Sequence, residues 1–357
     1  ELDVDKNLLS GITIDKINKY KERIKKLDTL FKVSGIPATS PLKILDIKNG
    51  SSESEQLLNE QVNICRDSLN VWKIYKDKFS ICWGIKLQET KNGIMWARRF
   101  YDLLISLPYF SNELFCLTND GRKVEHIKES IDAGIRKNAI LQELTSIYTS
   151  EVMKINVAQI EMEWNVIKNK WFLPKFFAKR SFFKKMRIYK SDFCENDTYD
   201  IISKLKEYAN AEETIKPMYE DLSKLFGTLA YYGKEQWSTM YDIIKRLPSL
   251  LALLEELSEV QNSSVDEIAS TLANSMKGNW HSFLTENKEI RNKLITSGEQ
   301  VINSMDKINS VANIDLPDND WCNTWLPVMD TLHANEGKFV DWFQWCNERR
   351  EINNLGL

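Results

Sequence analysis

Apolar residues recur along most of this chain at intervals of three and four. Ile14, Ile17, Ile24, Leu27 and Phe31 keep a heptad-like rhythm that Gly35 and Pro37 end. Leu58, Val62, Cys65, Leu69, Trp72 and Phe79 repeat it, and Leu141, Leu144, Tyr148, Val152, Ile155 and Met162 form a third run. Leu247, Leu250, Leu254 and Leu257 make a fourth, and Ile290, Leu294, Val301, Met305 and Ile308 a fifth. Each run puts one apolar stripe on a helix, as in antiparallel bundles and coiled coils. No stretch alternates convincingly with period two, and no internal repeat emerges. The expected fold is all-α: an elongated antiparallel helical bundle with long coiled-coil-like stalk helices.

The longest expected helix starts near Arg122 or Asn138 and runs into Trp171. Roughly 35 to 50 residues at about 1.5 Å each would reach on the order of 50 to 75 Å, the length of a stalk. Ser264 and Glu267 have the spacing of a capping box. Loops are expected near 34–55, 84–93, 106–122, 190–198, 260–264 and 312–321. Three parts follow: an N-terminal helical part (1–121), stalk helices with a basic junction at 168–190 (122–260), and a C-terminal helical part packing back on the bundle (261–357).

Composition narrows the function classes. The 357 residues are 43% hydrophobic and 28% charged, which suits a folded chain. Only 13 Gly and 8 Pro argue against a turn-rich β fold. Net charge is -3, so affinity for a polyanion would have to come from a local patch. The six cysteines are scattered singly with no CxxC pair, and the three histidines are equally scattered. Reduced, mostly buried thiols are expected, and no metal site. No run approaches the ~20 apolar residues that span a bilayer. The opening ELDVDKNLL has no initiator Met, basic n-region or apolar h-region. An excised piece of a larger cytoplasmic protein, without a signal peptide, is therefore expected.

Catalytic signatures do not assemble. The nearest approach to a phosphate-binding loop is Gly227 to Lys234, with its glycines one residue too far apart and Glu235 in place of the magnesium-holding Ser or Thr. Asp266 and Glu267 follow a turn and are explained by the capping box. No histidine has a carboxylate at a suggestive spacing, no Gly-rich elbow surrounds a serine, and Glu161 and Glu163 fall on different helix faces. No catalytic residue, metal or cofactor is expected in this chain.

One stretch does concentrate charge. Residues 169–190 read NKWFLPKFFAKRSFFKKMRIYK, and nine basic but no acidic residues lie from Lys168 to Lys190. Cations threaded with aromatics suit nucleic acid, because they neutralise phosphates while rings stack on unpaired bases. They also suit a membrane surface or protein partner, or a plain helix junction with aromatics packed and Lys and Arg snorkelling outward. Pro174 signals a break, with one helix ending near Trp171 and a second starting around residues 175–181. Trp321 with Trp325 and Trp342 with Trp345 share helix faces within each pair and read as core. Trp237 is expected to anchor the helix after Gly233.

Three segments in order resemble parts of large bacterial multidomain superfamily 1 DNA/RNA helicases. The first is Trp164, then Trp171-Phe172-Leu173-Pro174 with Lys179-Arg180 and a basic-apolar helix. The second is Leu225-Phe226-Gly227, Tyr232-Gly233 and Trp237, and the third is Val340-Asp341-Trp342 to Trp345, ending at Gly356-Leu357. Together they bracket residues 160–357; the earlier part resembles the same region more weakly, through Leu2-Asp3, Tyr20, Leu27, Gly35 and Pro41-Leu42. The resemblance implies a helical insertion within a helicase motor, with the Walker motifs, ATP and Mg all outside this chain. It implies the rest of that helicase as a partner and brings no catalytic residue. Lys175, Lys179, Arg180, Lys184, Lys185 and Arg187 are then the candidate phosphate contacts. Trp164, Trp171, Pro174, Gly233 and Trp237 are the candidate structural junction. A self-standing helical interaction protein or membrane-surface scaffold is the alternative.

Overall fold

A computed structural model describes residues 13–48, 50–117, 120–276 and 280–355. Leu2, Asp3, Gly356 and Leu357, which enter the resemblance, lie outside the described residues. The fold is all-α, with one two-residue antiparallel pairing among the described residues, of β1 (Asp46–Ile47) and β2 (Ala312–Asn313). No helix among the described residues is long and apolar enough to cross a membrane. The chain forms two compact units. One runs to Asp102 and takes up again at Ser282; the other is Leu103–His281.

In the first unit, α1 (Ile14–Ser34) precedes α2 (Ser52–Trp83), the longest helix at 32 residues. Ser51 caps α2 by accepting the N–H of Ser54, and Gly84 ends it in the left-handed conformation at φ 69°. α3 (Lys91–Ser106) leads out of this unit, and α13 (Trp280–Glu286), α14 (Lys288–Val311), α15 (Trp321–His333) and α16 (Phe339–Asn354) complete it. α2 and α14 run antiparallel: Ser68 donates to Gln300 at 3.2 Å and Tyr75 to Glu289 at 2.5 Å. Their expected stripes are buried throughout, except for half-exposed Ile290. Trp321 stacks on Trp325 with ring centres 4.8 Å apart and meets Trp72 at 5.4 Å, and Trp342 stacks on Trp345 at 5.0 Å. α1 departs from expectation. It buries no residue, and Ile17, Ile24 and Phe31 stay exposed while Arg23 pairs with Glu348 and Glu351 of α16.

The second unit contains α4 (Asn112–Leu117), α5 (Gly121–Ile147), α6 (Val157–Lys168), α7 (Phe172–Met186) and α8 (Glu195–Ile215). It continues with α9 (Tyr219–Phe226), α10 (Trp237–Ile244), α11 (Leu247–Gln261) and α12 (Val265–Ser275). α4 lies within a stretch expected to be loop. α5 and α8 are antiparallel, since Lys204 reaches Glu143 at 2.6 Å and Lys137 reaches Glu212 at 3.3 Å. The α12 capping box forms as spaced: Ser264 accepts from Glu267 N–H at 3.2 Å and Glu267 from Ser264 N–H at 3.1 Å.

The single helix expected from Arg122 or Asn138 to Trp171 does not exist. α5 stops at Ile147, Tyr148 is extended, and a 3-10 segment (Ser150–Lys154) precedes α6. Two attractions break it. Tyr148 turns inward to donate to Asp197 at 3.0 Å, and the Thr149 N–H bonds to the Tyr189 carbonyl at 2.9 Å. Asn156 then caps α6 by accepting from Gln159 N–H. The new helix starts in a different phase, so Ile160, Trp164 and Ile167 face inward and Met162 faces solvent.

Candidate nucleic-acid interface

α6 and α7 form a hairpin whose inner face closes on α8. Trp164 is fully buried in a cluster with Ile160, Ile167, Phe182, Met186, Phe193 and Ile201. Its ring centre lies 5.3 Å from Phe182 and 5.7 Å from Phe183. These contacts set the rotation of α7 and hence which of its basic residues reach solvent.

The junction is built at residues 169–174. Asn169 ends α6, and Trp171 is the N-cap position of α7, with its ring exposed. Pro174 is the third residue of α7, so the helix begins before the proline and not after it. In the first turn the missing proline N–H would have had no partner within the helix, and φ near -65° suits the helix. Gly233 sits at φ 78° in the turn closed by Lys234 N–H to the Tyr231 carbonyl at 2.9 Å. Trp237 opens α10 and buries its indole on Gly134, where a Cβ would lie 2.1 Å from the ring.

The six candidate cations divide by environment. Lys179 turns inward: its ammonium lies 5.5 Å from the Trp164 ring centre and 2.5 Å from Glu195 Oε2. That hydrogen bond outweighs the opposing effect of partial burial and holds Glu195 below the usual carboxylate range. Lys185 pairs with Glu163 at 2.8 Å, and Lys175 is half-buried. Arg180, Lys184 and Arg187 are exposed, and among the described residues none of the three forms an ion pair. At 3.6 residues per turn, Leu173, Phe176, Phe177, Arg180, Lys184 and Arg187 fall within a sector of about 100°. That sector points away from Phe182 and Met186 and contains no acidic residue.

The aromatics divide as well. Phe182 is buried and Phe183 half-buried, but Trp171, Phe172, Phe176 and Phe177 are exposed. A plain junction with its aromatics packed does not describe these four. The helix has only one face for the core, and Trp164 fills it with the later pair.

A polar network anchors the base of the hairpin. Asp197 is buried and accepts from Tyr148 Oη at 3.0 Å, Lys190 Nζ at 2.8 Å and the Cys194 N–H at 2.8 Å. Burial alone would raise its pKa, but these donors outweigh it and hold the carboxyl at about 2. Tyr148 is pushed up by desolvation and by the two carboxylates of Asp197 and Asp200.

Among the described residues, catalytic groups elsewhere do not converge. Gly227, the first glycine of the near-match to a phosphate loop, ends α9 and opens a 3-10 turn, so a helix stands where such a loop needs a strand. His333 Nδ1 lies 2.6 Å from Glu336 Oε1, three residues on, contrary to the expectation that no histidine has a carboxylate at a suggestive spacing. No hydroxyl or thiol hydrogen-bonds to that ring among the described residues. Burial raises Cys65 and Cys322 to about 12 and Cys82 and Cys346 to about 11, which removes them as nucleophiles. Cys116 and Cys194 are exposed, contrary to the expectation of mostly buried thiols. Among the described residues no group of three or more His, Cys, Asp or Glu is placed to hold a metal ion. No protein-family model, curated protein or solved structure matches the chain.

Proposed function

We propose that this chain is a non-catalytic helical accessory domain that contacts nucleic acid through the exposed face of α7. The setting is the one the sequence resemblance implies, an insertion within an ATP-dependent superfamily 1 DNA/RNA helicase in the cytoplasm. ATP and Mg would then be bound by other parts of that helicase, and those parts would be this domain's partners. The observation that carries the reading is the row Arg180, Lys184 and Arg187, exposed, on one side of a helix and without an ion pair among the described residues. Unpaired cations aligned this way attract a phosphate backbone and gain from the counterions it releases.

Charge reversal at Arg180, Lys184 and Arg187 together tests the contact. Binding of the purified chain to DNA or RNA should fall at least about 100-fold at low salt, with the melting temperature unchanged. Unchanged affinity would remove the reading. Sequencing the gene on both sides tests the helicase setting: a phosphate-binding loop upstream and an acidic magnesium motif downstream are expected, and neither would be present in a self-standing scaffold. The purified chain itself should not hydrolyse ATP.

A further inference from the structure

A cation row does not account for the start of α7. Trp171, Phe172, Leu173, Phe176 and Phe177 expose 69%, 80%, 51%, 56% and 65% of their surface. The Phe176 and Phe177 rings meet edge to face, 5.6 Å apart and at 81°. The Trp164 cluster is already closed by Phe182 and Phe183, so the earlier pair has no place in it. Along the helix the order is aromatic first, cationic second: Arg180 follows Phe176 by one turn, and Lys184 and Arg187 continue over roughly 10 Å. Lone exposed apolar residues need no explanation, but a group of them beside unpaired cations does.

An intact duplex presents phosphates outside and hides the faces of its bases. Exposed rings on a helix add little to such a contact. A single strand offers phosphates and unstacked bases together, and each unstacked base can lie on an aromatic ring. The exposed sector holds only Leu, Phe, Arg and Lys, with no amide or carboxylate to read base edges in the usual pairings. Stacking of that kind tolerates any base.

We infer that α7 takes single-stranded nucleic acid without sequence preference, its phosphates on Arg180, Lys184 and Arg187 and its bases stacked on Phe176 and Phe177. The inference rests on the nucleic-acid reading above and is separable from it. The test is fluorescence anisotropy of the whole chain with three probes: a labelled oligothymidylate, a mixed-sequence single strand and a blunt duplex, all of equal length. Sedimentation with phosphatidylserine-containing vesicles is the fourth arm. Both single strands should bind within about three-fold of each other and at least about ten-fold tighter than duplex. The F176A/F177A double variant should lose about ten-fold or more on single strands, keep its duplex affinity and salt dependence, and melt as the wild type does. Equal affinity for strand and duplex, indifferent to F176A/F177A, would overturn the stacking while leaving the basic contact intact. A clear preference between the two single strands would overturn the lack of sequence preference. No binding to any nucleic acid would overturn both readings. Vesicle binding stronger than either polymer and lost in F176A/F177A would assign the aromatic end to a membrane surface and refute the inference.

Discussion

Lys179 places its ammonium 5.5 Å from the centre of the Trp164 ring, under the hairpin and away from the exposed face of its own helix. Its neighbour Arg180 points the other way, into solvent. Lys179→Ala is expected to cost about 1 kcal/mol, from the ring contact and the half-buried pair with Glu195 together. Nucleic-acid affinity should change less than two-fold. Arg180→Ala should do the reverse, leaving thermal stability alone and weakening binding several-fold. Thermal melts and anisotropy on the two variants separate the roles, and a Lys179 variant that melts normally but binds poorly would contradict this assignment.

Gly134 lets α10 approach α5. A Cβ there would sit 2.1 Å from the Trp237 ring, which is rigid and buried. In an open helix Gly→Ala gains close to 1 kcal/mol. Gly134→Ala should instead destabilise by about 1–3 kcal/mol, because the ring must move. Urea denaturation of the variant checks the sign.

The Asp197 network gives a specific acid dependence. Unfolded, this carboxyl titrates near its ordinary value of 3.8; folded, it holds out to about 2. Between those pH values the unfolded chain takes up a proton that the folded chain does not. The contribution of Asp197 is therefore complete above about pH 4 and disappears as pH falls toward 2. Denaturation midpoints measured from pH 5 to pH 2 should drop less steeply in Asp197→Asn than in the wild type. Asp197→Ala, which also removes the acceptor for the Cys194 N–H, should cost on the order of 2–4 kcal/mol at neutral pH.

Much of the fold was legible because α2, α11 and α14 hold one phase from end to end. Leu58 through Phe79 and Leu294 through Ile308 sit on faces that stay buried along their length. The end of α5 was not legible. Tyr148 and Val152 keep helical spacing and are buried, yet the backbone between them is extended and then 3-10. Spacing cannot distinguish that turn from a continuing helix, because both bury the same side chains. Pro174 correctly marked the junction but not its register, since proline is tolerated anywhere in a first turn. The composition of residues 168–190 was plain, while the division of its cations was not. Lys179 and Lys185 find carboxylates 16 and 22 residues away, and only the docking of Trp164 decides which side of α7 they occupy.

The salt dependence of single-strand binding tests the exposed α7 face most directly. Log affinity should fall linearly with log salt, at about 0.7 per phosphate contacted. The R180A/K184A/R187A variant should lose three contacts and flatten that slope by about 2, with its melting temperature unchanged. A variant that binds as tightly as wild type with the same slope would show that nucleic acid binds this chain elsewhere and contradict the account.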